Sequence, residues 1–143
     1  MKFNANEWES VLPGGWSDRS MITLVGATGA SGIAANIVVT REEIDGFTGI
    51  EDYAEGQKQA MAAEIEQLEI LDERPTNLNG AQAFQRLQRF QIEDLIVQQA
   101  QTFVLGENAV FVITGTASVE DFDGIIEAVR SFTENFRLTN DKT

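Results

Sequence analysis

Asn79-Gly80 sits between two strand-like runs, and it constrains the fold more than any other feature of the chain. A two-residue hairpin turn of type I′ needs positive φ at both central positions, which Asn and Gly tolerate. Leu68 to Arg74 reads as a strand before this turn. Ala81 to Gln91 and Glu93 to Leu105 read as two long strands after it, and Gly106-Glu107-Asn108 turns the chain into another, Ala109 to Thr116. Strands joined by such short turns make an antiparallel sheet.

Three more strands are expected upstream. Glu7 to Leu12 is closed by Pro13-Gly14-Gly15, since Pro lacks a ladder donor and Gly accepts turn dihedrals. Met21 to Val25 follows, then Ala35 to Arg41 with its β-branched run Ile37-Val38-Val39-Thr40. A helix is expected from about Gly49, with Thr48 and Glu51 as a capping box. Its apolar stripe is Ile50, Tyr53, Ala54, Gln57, Met61, Ile65 and Leu68. A second helix is expected after a Ser118 cap, with Val119, Phe122, Ile125, Ile126, Val129 and Phe132 on one face. Phe136 to Leu138 reads as a short last strand. The order βββ-α-ββββ-α predicts one α+β domain over residues 1–143, an antiparallel sheet flanked by two main helices.

Composition narrows the chemistry. The 143 residues include no Cys and no His, so no disulfide, thiolate zinc site, Cys nucleophile or Ser-His-Asp triad can be built from this chain. A net charge of −13 argues against a nucleic-acid partner, because phosphate binding leans on Lys and Arg. The N-terminal residues lack the apolar run of a secretory signal, and no stretch approaches the ~20 apolar residues of a membrane span. The expectation is a cytoplasmic protein without direct membrane insertion.

Three local features need weighing. Gly26-Ala27-Thr28-Gly29-Ala30-Ser31-Gly32 follows a strand and looks like a dinucleotide-binding turn. A pyrophosphate needs a helix N-terminus there, yet a β-branched run begins at Ile37, so a link between antiparallel strands is preferred. Between Glu42 and Glu73, eleven acids face one base, Lys58, for a net −10; a solvated acidic face is preferred to acid–base chemistry or Ca²⁺ binding. Seven of the ten glutamines fall between Gln82 and Gln101, which is unusual for strands. Buried amides without partners cost about 1–3 kcal/mol. These glutamines therefore pair internally, or line a wet or ligand-filled groove suited to an apolar helix with small or polar residues. At least one of Trp8 and Trp16 is expected in the core. Arg41, beside Glu42 and Glu43, is expected to form an ion pair or strand-end cap.

Asn6-Glu7-Trp8 with Leu12-Pro13-Gly14-Gly15-Trp16-Ser17-Asp18-Arg19-Ser20, then Asn36-Ile37-Val38-Val39-Thr40-Arg41-Glu42, the helix around Tyr53, Leu78-Asn79-Gly80 and Ser131-Phe132, resemble DcrB-like domains of the Eag type over nearly the whole chain. The resemblance implies a Mog1/PsbP-like sandwich and a non-enzymatic role without cofactor or metal. It implies a homodimeric chaperone of type VI secretion that shields the N-terminal transmembrane helices of PAAR or Rhs effectors and helps load them on the VgrG spike. By position, the client groove would comprise Ile22, Leu24, Val39, Gln57, Met61, Ile65, Leu95 and Gln99. Gln98 competes with Gln99, because one residue changes the strand face. The competing expectations are a Mog1-type domain binding a folded protein surface, and a small enzyme using carboxylates or a nucleotide at Gly26 to Gly32.

Overall fold

The computed structural model describes residues 2–4, 7–45 and 48–139. Asn6, which opens the first resembling motif, lies outside them. β1 (Lys2–Asn4) and β2 (Glu9–Val11) form a small two-stranded sheet. The main sheet has six antiparallel strands in the order β3-β4-β8-β7-β6-β5. They are β3 (Met21–Thr28), β4 (Ala34–Glu43), β5 (Glu69–Leu78), β6 (Ala81–Ile92), β7 (Leu95–Leu105) and β8 (Ala109–Ser118). Two helices, α1 (Ile50–Glu64) and α2 (Phe122–Glu134), complete an α+β fold.

The hairpin expected at Asn79-Gly80 forms, with Leu78 opposite Ala81 and φ of 50° and 91° at the turn. The Asn79 side-chain amide also donates to the carbonyls of Glu134 (3.1 Å) and Phe136 (2.7 Å), joining this turn to the end of α2. No strand forms at Phe136 to Leu138; Phe136 instead tilts against Phe111, centroids 6.1 Å apart. β5 continues through Pro75, which an edge strand tolerates because one row of its groups needs no ladder partner.

Other expectations need correction. Thr48 does not cap α1: its hydroxyl donates to Asp45 (2.9 Å), and Gly49 takes the cap position without a side-chain bond. Ser118 ends β8 rather than capping α2; it donates to Asp121, which precedes the helix. Neither tryptophan enters the core. Trp8 is 57% and Trp16 72% exposed, because β2 and the Pro13–Gly15 turn lie outside the packed layers. Arg41 does act at a strand end, donating to the Asp18 carbonyl (2.8 Å) and pairing with Glu43 (3.3 Å).

Directly opposed residues of an antiparallel pair share a face, so register sorts the sheet. One row contains Gln88, Gln99, Thr116, Asn36 and Val25. The neighbouring row, on the reverse face, contains Leu87, Ala100, Gly115, Ile37 and Leu24. α1 covers part of the first face, where Ile50 and Ala54 bury against Phe103, Val110 and Val112. α2 covers part of the second, where Phe122, Ile125 and Ile126 meet Ala35, Ala100, Ala117 and Leu87.

Small residues under α2 set its distance from the sheet. A Cβ added at Gly115 would lie 2.5 Å and 2.7 Å from the two Val129 methyls. Gly115→Ala is expected to lower stability by about 2 kcal/mol, because the helix must back away from a packed surface. Urea unfolding measures this, and an unchanged midpoint would contradict the seating of Val129.

Candidate binding face

α1 lies over β6 and β7, leaving the β8-β4-β3 half of its face less covered. That open half, with the adjoining strand β7, carries hydroxyls and amides beside apolar groups. Asn36, Val38 and Thr40 of β4, Thr114 and Thr116 of β8, and Gln99 and Gln101 of β7 are all half-buried. β7 and β8 have no ionised residue within them, so the hydroxyls and amides that these two strands contribute are neutral.

The amides form a ladder across the strands. Gln88 Nε2 donates to Gln99 Oε1 (2.7 Å) and approaches Met61 Sδ of α1 (3.3 Å). Gln99 Nε2 donates to Thr116 Oγ1 (3.1 Å), and Gln101 Nε2 to Thr114 Oγ1 at a longer 3.4 Å. Gln88, although fully buried, leaves its Oε1 without a partner, and Asn36 Oδ1 is likewise buried and unpaired. Such acceptors cost free energy unless a donor reaches them. The open half therefore combines apolar surface with neutral hydroxyls and amides, above two acceptors that are themselves closed off from solvent.

The eight residues expected to form one groove divide between the two faces. Gln57, Met61, Ile65, Leu95 and Gln99 belong to the α1 side. Gln57 is exposed, while the other four are half-buried. Gln57 follows Tyr53 by one turn, and Tyr53 donates to Glu42 of β4 (2.5 Å), so Gln57 borders the open half. Burial, then the hydrogen bond and charge of Glu42, raise the Tyr53 pKa and keep the phenol protonated.

Ile22, Leu24 and Val39 lie on the α2 side, in register with Ile113 and Gly115. In one protomer these eight residues therefore do not share a single face of the sheet. Gln98, not Gln99, shares their face, and it is occupied by Arg89 at 2.9 Å. Leu24, Ala35 and Ile37 with Ile125, Ala128 and Val129 enclose an apolar cleft of about 180 Å³. A larger depression, about 330 Å³, lies between Gly49-Ile50 and Pro75-Thr76. The exposed Glu51 and Asp52 at its rim make it unsuitable for an apolar chain.

Thr114, Thr116 and Asn36 were missed as site residues by sequence reading, while Gln88 and Gln101 were singled out only as members of the glutamine-rich stretch. Their signal is weak but present: alternating Thr114 and Thr116 repeat the spacing of Gln99 and Gln101 on the neighbouring strand.

The glycine-rich segment links β3 to β4, and no helix follows it. Asp121, at the start of α2, accepts bonds from the amides of Ala30 (3.1 Å) and Ser31 (3.3 Å) and from the Ser31 hydroxyl (2.6 Å). A side chain at Gly29 would overlap this carboxylate, which explains the glycine. The Ser31 hydroxyl is the main influence lowering the Asp121 pKa, with Ser118 and the two amides adding to it. Asp121→Ala is expected to free the hairpin tip. Hydrogen exchange at the Ala30 and Ser31 amides should accelerate at least about tenfold, as local opening becomes easier; unchanged protection would contradict the clasp.

The fold and the amide-lined face define an α+β sandwich that presents a mixed apolar and polar sheet surface. Residues 9–134 match the model of the DcrB family, and the chain belongs to that family. Among solved structures it is similar to PA94 of Pseudomonas aeruginosa, a protein of unknown function, with TM-score 0.88, 18% identity, and 99% of this chain and 98% of that one covered. It is also similar to cyanobacterial PsbP (CyanoP) of Synechocystis sp. PCC 6803, with TM-score 0.60, 13% identity and coverage of 97% and 92%. LpqN of Mycobacterium tuberculosis, involved in cell envelope biogenesis, matches with TM-score 0.56, 13% identity and 85% coverage of each chain. No curated protein matches the chain significantly. Among the described residues, no helix is long and apolar enough to cross a membrane.

Proposed function

We propose that this DcrB-family domain binds protein, and that its ligand is an apolar helix carrying small or hydrogen-bonding residues. The amide and hydroxyl ladder on the open half of the α1 face carries this reading, because it adjoins two buried, unpaired acceptors. Helices that associate inside membranes use close packing and side-chain hydrogen bonds, which this surface can offer in water. Burial of the client would contribute roughly 25 cal/mol per Å² of apolar area. Together with the resemblance to Eag proteins, this supports a cytoplasmic chaperone for the N-terminal transmembrane helices of PAAR or Rhs effectors, delivering them to VgrG without covalent chemistry.

The test is co-expression with a neighbouring effector that carries apolar N-terminal helices, and with the same effector lacking them. Recovery of the complete client alone is expected; equal recovery of both would overturn the reading. Because Gln57 and Leu24 lie on opposite faces, they also locate the client. Gln57→Leu is expected to weaken binding about fivefold, the equivalent of one hydrogen bond of about 1 kcal/mol. Full affinity in Gln57→Leu, with loss in Leu24→Asp, would move the client to the α2 face.

The second reading, a Mog1-type domain docking on a folded surface, predicts binding that survives removal of the helices. The glycine segment gives a nucleotide little support, since β4 rather than a helix N-terminus follows it.

A further inference from the structure

α1 is firmly seated at one end only. Among the described residues of the helix, Ile50 and Ala54 are buried, and both lie in its first five positions. The Tyr53 bond to Glu42 and the Arg86 bond to the Ala54 carbonyl fix the same end. Of residues 55–64 none is buried, and all but Lys58 and Met61 are exposed. Lys58 reaches Glu73 (3.3 Å) through a partly exposed ion pair, a kind that holds weakly. Met61 rests on Gln88 through its sulfur, a weak acceptor.

The two halves of the helix meet at Gly56. A Cβ there would meet nothing within 4 Å among the described residues, so packing does not demand a glycine, and glycine loosens a helix. The far end is loosened again. Its last turn has no basic residue and ends on Glu64, so no cation offsets the negative pole of the helix. Just beyond, Gln67 has φ of 61°, a conformation costly for a residue with a side chain.

Beneath this loose half lies Gln88, with no exposed surface and with its Oε1 unpaired. Gln99 beside it already uses both ends of its amide, on Gln88 and Thr116, so the free acceptor of the two is that of Gln88. An acceptor sealed in this state disfavours the closed helix, and opening relieves it. We propose that residues 55–64 are a lid that swings about Gly56, and that Gln88 Oε1 is the acceptor it uncovers for the ligand. This rests on the ligand being an apolar helix, and it says what that helix must carry: a hydroxyl or amide donor that reaches Gln88. Gln57 and Met61 ride on the lid and move with it. The first half of α1 stays on Phe103, Val110 and Val112.

The lid is tested without a client. In a cysteine-free chain a single introduced thiol reports opening. The Gln88→Cys thiol, under the lid, is expected to react with a maleimide at least about tenfold faster than the Val110→Cys thiol, which is buried under the fixed half. Gly56→Ala is expected to slow the first about fivefold and to leave the second unchanged. Equal rates at the two positions, or no slowing, overturn the lid. The acceptor is tested with an apolar Leu/Ala helix fused to a soluble carrier, bearing serine at each central position in turn or alanine throughout. Wild type is expected to prefer the best serine helix about fivefold, and Gln88→Met to abolish that preference. The ratio is read within each variant, so a general weakening cancels. No preference in wild type, or one that survives Gln88→Met, overturns the role of Gln88. If neither kind of helix binds, the client reading fails and the acceptor role falls with it, while the thiol rates still decide the lid.

Discussion

Phe103→Ala is expected to destabilise the fold by about 4 kcal/mol, the largest effect of any single truncation considered for this chain. Phe103 is almost completely buried at the centre of the α1 face. Tyr53 meets it edge-on at 6.2 Å and Phe84 is tilted against it at 6.5 Å. Removing the ring leaves a cavity bounded by two strands and a helix, which cannot collapse without moving α1. Urea unfolding followed by circular dichroism measures the loss. A change below about 1 kcal/mol would mean that the site refills easily, contrary to the close packing of an interior.

Arg86→Ala is expected to cost about 3 kcal/mol. This guanidinium is only 3% exposed, and its partners come from three directions. Nη2 donates to the Ala54 carbonyl of α1 (2.9 Å), Nε donates to Glu73 of β5 (3.0 Å), and the group lies 5.3 Å and 5.7 Å from the rings of Phe103 and Phe84. Lysine can keep the charge but not the planar fork, so Arg86→Lys should restore only part of the loss. Burial acts to raise the Glu73 pKa, but Arg86 and Lys58 together outweigh it and hold the carboxyl below its usual value. A depressed carboxylate adds stability above its unfolded pKa, and that contribution disappears as pH falls through the folded value. Wild type should therefore lose stability on acidification below about pH 4 more steeply than Glu73→Gln. Parallel pH profiles would contradict the coupling.

The hairpins, the two helices and the antiparallel order were legible because each depends on local signals: a turn dipeptide, a period or a β-branched run. The groove was not. Whether Leu24 shares a face with Gln99 depends on register relayed through β4 and β8, and one residue reverses the answer. β3 also has an irregularity between Val25 and Thr28, which periodicity cannot place. Glutamine enrichment signalled an unusual face, while the partners Thr114 and Thr116 come from a strand that looks like ordinary core. Thr48 failed as a cap for a different reason: Asp45 competes for its hydroxyl. Trp8 and Trp16 show that aromatic content alone does not locate a core.

Strand order carries a further consequence, for how the molecule assembles. β5 to β8 are consecutive neighbours and can zip together by short loops. The β3–β4 hairpin is also local, but it joins them through one seam, from Asn36 opposite Thr116 to Glu43 opposite Ala109. Closing that seam fixes a loop of many tens of residues, including α1, so its entropic cost falls late and counts against speed. The molecule is thus built as a four-stranded meander to which a two-stranded flap is sewn, with Asp121 as the last stitch. Amides of the flap should exchange before those of β6 and β7, and the β3 edge should be the last surface to reach its final shape.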